Sequence, residues 1–280
     1  MCHSFFVSDL HGSTPRYNTL FKAIEDEQPD IVFMGGDLLP AASGLREENT
    51  FLDDFLLPQF RSLKKRMGST YPSIYLIMGN DDPRSEEKKI LEADEDLWYY
   101  LHKRKREYHG YTLFGFSCVP PTPFLLKDWE RYDVSRFVDP GSVHPTEGVH
   151  TTPLEKNLKY VTIKDELAKL CGDEDLSRAV LLLHAPPYNT TLDRAGLDGE
   201  TVEGVPMDVH VGSIAIREFI EERQPLLTLH GHIHEACRLT GCWQDTIGRT
   251  VALSAAIESP SLALVSFSLE DLESAERRVL

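Results

Sequence analysis

The feature that most constrains this chain is a recurrence. A short apolar run is followed at once by a turn built from glycine, aspartate, asparagine or histidine, and this happens five times. Residues 4–8 lead into Asp9-Leu10-His11-Gly12, and Ile31-Val32-Phe33-Met34 leads into Gly35-Gly36-Asp37. Residues 73–78 lead into Gly79-Asn80-Asp81-Asp82, and Val180 to Leu183 into His184-Ala185-Pro186-Pro187. Leu226 to Leu229 leads into Gly231-His232-Ile233-His234. Apolar runs of this length, bounded by turn residues, read as buried strands. In open α/β sheets ligands bind beyond the carboxyl ends of strands, so the five turns are expected to converge on one site.

The intervening stretches carry helical spacing. Ser13-Thr14-Pro15 reads as a helix start, with Tyr17, Leu20, Phe21 and Ile24 on one face and Pro29 ending the pattern. Residues 46–66 predict a second helix, with Phe51, Phe55 and Leu56 on one side. Thr152-Pro153-Leu154-Glu155 reads as a capping box ahead of Leu154, Leu158, Val161, Leu167 and Leu170. Ser213 is expected to cap a helix to about Arg223. Tyr111 to Phe116 predicts a further strand, and the chain to about residue 269 reads as strands and turns. The whole indicates an α/β domain with a substantial sheet, taken as a single domain over 1–280.

Two stretches, 117–150 and 185–212, read as long loops. The first is a loop insertion rich in proline that also carries Trp129, Tyr132 and Phe137, too aromatic to stay unfolded. It reads either as a wall over the site or as core packing. His102-Lys103-Arg104-Lys105-Arg106, the basic cluster, reads as a solvated turn.

Composition narrows the partners. With a formal net charge of −16, general binding to nucleic acid or an anionic membrane is not expected. A local phosphate remains possible, because bound cations would override the global sign. The five cysteines are odd in number and form no C-x-x-C, so neither a disulfide framework nor a thiolate zinc site is read. No signal peptide or membrane span is read, and a cytoplasmic location is expected.

The converging set supplies aspartate, histidine and one asparagine, a donor mix suited to hard or borderline divalent ions such as Mn²⁺, Fe²⁺, Zn²⁺ or Ni²⁺. D-x-H and H-x-H pairs leaving a strand can clamp one ion or two neighbouring ions. In its ordered signature, D-x-H, G-D, G-N, H and G-H-x-H, spread over residues 9–234, the chain resembles the calcineurin-like metallophosphoesterases. The resemblance implies a sandwich of two mixed β-sheets flanked by α-helices. It also implies two divalent ions, with manganese expected in vitro. Asp9, His11 and His234 would hold one, Asn80, His184 and His232 the other, and Asp37 would bridge them. The implied reaction is in-line displacement at phosphorus without a covalent enzyme intermediate, on a small phosphoester, nucleotides among the candidates. The sequence is silent on oligomeric state.

One position departs from the resemblance. Many members carry histidine after the asparagine, in contact with the phosphate and helping to protonate the leaving group. Here the residue is Asp81, and Asn80 and Asp81 are the candidate catalytic pair. An aspartate, with an ordinary pKa of about 3.9, is a poor acid at neutral pH and places negative charge beside a phosphate. A monoanionic phosphodiester is therefore favoured over a dianionic monoester, and a good leaving group over an alkyl one. If Asp81 points away, His109, His144, His150 or His210 are candidate proton donors. Asp82 is a candidate for orienting a ligand histidine, and Arg84 for meeting a phosphate oxygen. The alternatives are a phosphomonoesterase, a nuclease, or a catalytically silent protein-binding scaffold.

Overall fold

A computed structural model describes residues 2–41 and 50–280. In chain order the elements are β1 (His3–Val7), α1 (Thr14–Glu27), β2 (Ile31–Gly35), α2 (Leu57–Met67), β3 (Ser73–Ile77), α3 (Glu87–Glu92), β4 (Tyr99–Tyr100), β5 (Arg104–Tyr108) and β6 (Tyr111–Phe116). There follow α4 (Ile163–Cys171), β7 (Ala179–Leu183), β8 (Thr201–Val202), β9 (Val205–Pro206), α5 (Ile214–Arg223), β10 (Leu227–His230), α6 (Ala236–Thr240), β11 (Gln244–Ile247), β12 (Thr250–Ser254), β13 (Ala263–Ser268) and β14 (Asp271–Val279).

The strands form two six-stranded mixed sheets, ordered β14-β13-β1-β2-β3-β4 and β11-β12-β10-β7-β6-β5. In each, four parallel strands are bordered by antiparallel ones: β13 and β14 on the first, β5 and β11 on the second. The apolar runs lack alternation because both faces of these strands are covered. Phe6, Phe33, Ile77, Leu113, Leu182 and Leu229 fill the space between the sheets. Their neighbours in sequence, among them Phe5, Val7, Val32, Met34, Leu76, Phe114 and Leu181, face outward into a second cluster with helical side chains such as Tyr17, Leu20, Phe60, Leu167 and Ile216. The expected sandwich of two sheets flanked by helices is the fold of this chain.

Several local expectations hold. Ser13 precedes α1, and Ser213 caps α5, its Oγ accepting from Ile216 N at 3.0 Å. Others are corrected. The predicted capping box at Thr152 does not start a helix. Glu155 is instead drawn into ion pairs with Arg84 and Arg131, and α4 begins only after Thr162, whose Oγ1 accepts from Asp165 N. Charge pairing with two arginines outweighs one capping bond. The basic cluster is not a turn: Arg104 to Arg106 lie on the edge strand β5, beside Asp94, Glu95 and Glu174. The strand-rich part runs on to Val279. Of the helix predicted over 46–66, residues 46–49 lie outside the described residues, and a π-turn (Leu52–Leu56) runs into α2. The five cysteines are free thiols. Among the described residues no helix is long and apolar enough to cross a membrane.

Candidate metal centre

The topology brings the five turns to one edge of the sandwich. Asp9, Asp37 and Asn80 follow β1, β2 and β3 of the first sheet, while His184, His232 and His234 follow β7 and β10 of the second. The turns are fastened by their own backbones. Asp9 N donates to Gly36 O at 3.0 Å, His11 N to Asp37 O at 2.8 Å, and Gly231 N to His184 O at 2.9 Å. The two sheets meet closely here: a Cβ on Gly231 would lie 2.0 Å from Ser8 Oγ, and one on Gly79 2.6 Å from His184 Nε2. Only glycine fits at either place.

Asp9, His11, Asp37 and His232 all have positive φ, between 46° and 72°. That conformation costs a non-glycine residue about 1 kcal/mol or more, and such strain gathers at functional sites.

The side chains converge. Asp9, His11, Asp37 and His234 present donor atoms that all lie within 4.8 Å of one another. Nε2 of His11 stands 3.1 Å from Nε2 of His234, which is 3.3 Å from Asp9 Oδ1. On the other side of Asp37, His184 Nδ1 donates to Gly35 O at 2.7 Å, which fixes the tautomer. Its Nε2 is thereby left facing Asn80 Oδ1 at 3.1 Å and Asp37 Oδ2 at 3.2 Å. The ring of His232 lies 5.3 Å from that of His184. Asp37 therefore stands between two groups of donors.

The electrostatics are those of a cation site. Burial opposes charge on Asp9 and Asp37, yet the facing imidazoles hold both carboxyls below their ordinary value. Burial also opposes charge on His184, but Asp37 and Asp9 push it up to about 10. His232, buried with fewer compensating contacts, falls to about 3. Asp9 Oδ2 is buried without a hydrogen-bond partner among the described residues. An unpartnered buried carboxylate oxygen beside two converging imidazole nitrogens is a good fit for a divalent ion.

Asp81 sits at the rim, half-buried. Its N donates to Asp37 Oδ1 at 2.8 Å, its Oδ1 accepts from Asn80 Nδ2 at 3.0 Å, and its Oδ2 is 3.6 Å from His11 Nδ1. Asp82 does not orient a histidine. Its carboxylate is wholly buried and accepts from the backbone N–H groups of Leu38, Leu39 and Gly79, locking the second turn to the third. Arg84 is not turned to a phosphate: it pairs with Glu87 and Glu155 and lies over the Trp129 ring. Of the four histidines considered as proton donors, His109 occupies the β5–β6 hairpin turn, at the end of β6 remote from the site. His144 bonds Tyr132 and His150 bonds Pro145 O. His210 is held by the buried Asp193 at 2.8 Å, in the loop that leaves His184. Trp129 and Tyr132 are core residues, and Trp129 Nε1 donates to Asp82 O, so the 117–150 stretch braces the third turn from behind.

Two contributors escaped the sequence reading. Tyr17, read only as a core residue, also donates its hydroxyl to Leu38 O at 2.9 Å. Arg16 donates to Asp9 O and Ser259 O. An arginine in the first turn of a helix directly after D-x-H-G was the available signal.

Comparison with known proteins agrees with this construction. The calcineurin-like phosphoesterase family matches residues 4–236. An uncharacterized protein of Methanocaldococcus jannaschii, MJ1162, is 35% identical over 250 residues, spanning 89% of this chain and 85% of that one. Among solved structures, TT1561 of Thermus thermophilus superposes with a TM-score of 0.56 at 16% identity, over 99% of this chain and 98% of that one. A dimetal phosphatase from Danio rerio gives 0.53 at 10% identity, over 94% and 91%. At such identities these two structures speak to the fold alone. The family match and the converging aspartates and histidines together make this chain a member of the calcineurin-like phosphoesterases, metal-dependent hydrolases of phosphoester bonds.

Proposed function

We propose that this protein hydrolyses a small phosphodiester at a two-ion centre in which Asp9, His11 and His234 hold one ion, Asn80, His184 and His232 the other, and Asp37 both. Bound divalent ions, manganese in the first instance, would supply Lewis acidity toward phosphoryl oxygens and raise the acidity of water. The chain contributes preorganisation: the strained turns and the Asp82 clamp hold the donors in place, so little reorganisation is needed when substrate arrives. Asn80 links the two halves of the device, its Oδ1 facing His184 and its Nδ2 donating to Asp81.

The observation that carries the diester reading is the Asp81 carboxylate at the rim, 3.6 Å from His11 Nδ1. A carboxylate there adds repulsion to a dianionic monoester. The five free thiols suit a cytoplasmic protein.

The test is hydrolysis of a chromogenic diester against the matching monoester, with protein stripped of metal and refilled with Mn²⁺. The diester is expected to be preferred by about tenfold or more in kcat/KM, which is ~1.4 kcal/mol of discrimination. Asp81→His is expected to move the ratio toward the monoester by a similar factor. A wild-type preference for the monoester would overturn the reading.

A further inference from the structure

Asp81 reaches both halves of the donor set. Its N donates to Asp37 Oδ1 at 2.8 Å, its Oδ1 accepts from Asn80 Nδ2 at 3.0 Å, and its Oδ2 stands 3.6 Å from His11 Nδ1. The first contact is made by the backbone and the other two by the carboxylate. Asn80 and His11 belong to opposite groups of donors, one beside His184 and the other beside His234. A single carboxylate therefore lies against both groups.

At Asn80 the contact decides which end of the amide faces inward. The side chain is buried, and the two ends of an amide differ little in size. An ionised carboxylate accepts hydrogen bonds and donates none, so Asp81 Oδ1 holds Nδ2 and keeps the amide oxygen out of that place. The oxygen is left facing His184 Nε2 at 3.1 Å. Without the carboxylate the NH₂ end, which offers no lone pair to a cation, is free to take its place.

At His11 the contact lies on the outer side of the ring. Nε2 points inward, 3.1 Å from His234 Nε2 and 3.9 Å from Asp37 Oδ2, and Nδ1 is the nitrogen turned to Asp81. At 3.6 Å this is an electrostatic contact and not a hydrogen bond. A carboxylate on that side favours the tautomer with the proton on Nδ1, which keeps the Nε2 lone pair for a cation.

We propose that Asp81 is the positioning residue of both ion sites: its one carboxylate turns the oxygen of Asn80 and the Nε2 lone pair of His11 toward the ions, so that a single side chain sets the affinity for each. The inference rests on the two-ion reading above, and not on the preference for diesters.

The experiment titrates metal-free protein with Mn²⁺ alone and follows the free ion by its electron paramagnetic resonance. The wild type is expected to bind two ions. Asp81→Ala is expected to raise both dissociation constants by about tenfold or more, the usual cost of removing a partner that orients a metal ligand. Asp81→Asn keeps an oxygen for Asn80 Nδ2 and loses the charge facing His11. It is expected to raise one constant and to leave the other within about twofold of the wild type. Melting of the metal-free protein separates this from a structural role. The bond from the backbone of residue 81 to Asp37 does not depend on the side chain, so the melting temperature is expected to stay at the wild-type value in both variants. A lowered one would assign the lost affinity to the fold and overturn the proposal. Asp81→Ala with either constant unchanged, or Asp81→Asn with both unchanged, also overturns it. A wild type that binds a single ion overturns the two-ion reading and this inference with it, whereas two ions bound alike by wild type and variants overturn the inference alone.

Discussion

Two regions of this molecule bury charge, and they do it in opposite ways. In the 117–150 stretch Lys127 and Glu130 are 0% and 1% exposed and 2.6 Å apart. Lys127 also donates to Thr122 O, and both oxygens of Glu130 accept from Thr122, through its N and its Oγ1. Asp128 beside them accepts from Arg84 N, Thr151 N and Thr151 Oγ1. The charges of Lys127, Asp128 and Glu130 are each met by another part of the chain. At the strand ends, Asp9 and Asp37 are equally buried but face imidazoles and one another, and Asp9 Oδ2 meets nothing among the described residues. Burial alone is common to both regions. What separates them is whether the protein supplies the partners, and a buried acidic cluster that lacks them is arranged for something the chain does not contain.

The contrast can be broken from either side. The largest effect is expected at the centre itself. Asp37→Asn should lower turnover by at least about 10³-fold, several kcal/mol of transition-state stabilisation. It should lower the stability of the metal-free protein, because buried His184 loses the carboxylate that it faces at 3.2 Å. Mn²⁺ at a hundred times its dissociation constant should stabilise the wild type by about 2.7 kcal/mol and the variant not at all. Thermal unfolding with and without the ion checks this. A variant that Mn²⁺ stabilises as much as the wild type would mean that Asp37 does not hold the ion.

In the satisfied cluster the effect should fall on stability and not on selectivity. Glu130→Ala is expected to cost about 3–5 kcal/mol of stability, since Lys127 is left buried and unpaired. Denaturant unfolding would measure the loss. Lys127→Met combined with Glu130→Leu should recover most of it, and the ester selectivity of the surviving enzyme should be unchanged in all three proteins. A change in selectivity would make the stretch part of the site rather than its brace.

The smallest effect sharpens the boundary between the regions. His102 is buried against Trp129 and Phe116, and its Nδ1 accepts from Ser117 N at 2.9 Å. Burial, with Lys103 and Arg131 nearby, holds it well below its ordinary value. The unfolded chain therefore takes up a proton below pH ~6.5 that the folded chain refuses, so this contribution is present above that pH and is lost as pH falls, by up to about 1.4 kcal/mol per unit. His102→Gln should flatten the fall in melting temperature between pH 7 and pH 5. An unchanged slope would assign the acid sensitivity to other groups.

Much of the site was legible because its parts sit at fixed places in short motifs. Asp9, His11, Asp37, Asn80, His184, His232 and His234 each follow a run that is buried on both faces, and β-sheet geometry carries such positions to one edge. The helix start at Thr152 was misread for the converse reason. A local T-x-x-E pattern says nothing of Arg84 and Arg131, which are distant in sequence and claim the glutamate. Asp82 was placed at the site correctly but given the wrong task. The N–H groups of Leu38 and Leu39, more than forty residues earlier, took its carboxylate.

The sequence by itself determined an α/β domain, the ordered signature that resembles the family's and the inventory of donors at the strand ends, because periodicity, turn chemistry and ligand type are local properties; the sandwich was implied only by that resemblance. Only the tertiary structure decided which buried charges have partners, that Asp81 faces His11, and that Arg16 ties the Asp9 turn to the Ile257–Pro260 loop. Those are contacts between segments far apart in the chain. Their distances are set by how the two sheets pack, which no single stretch of residues encodes.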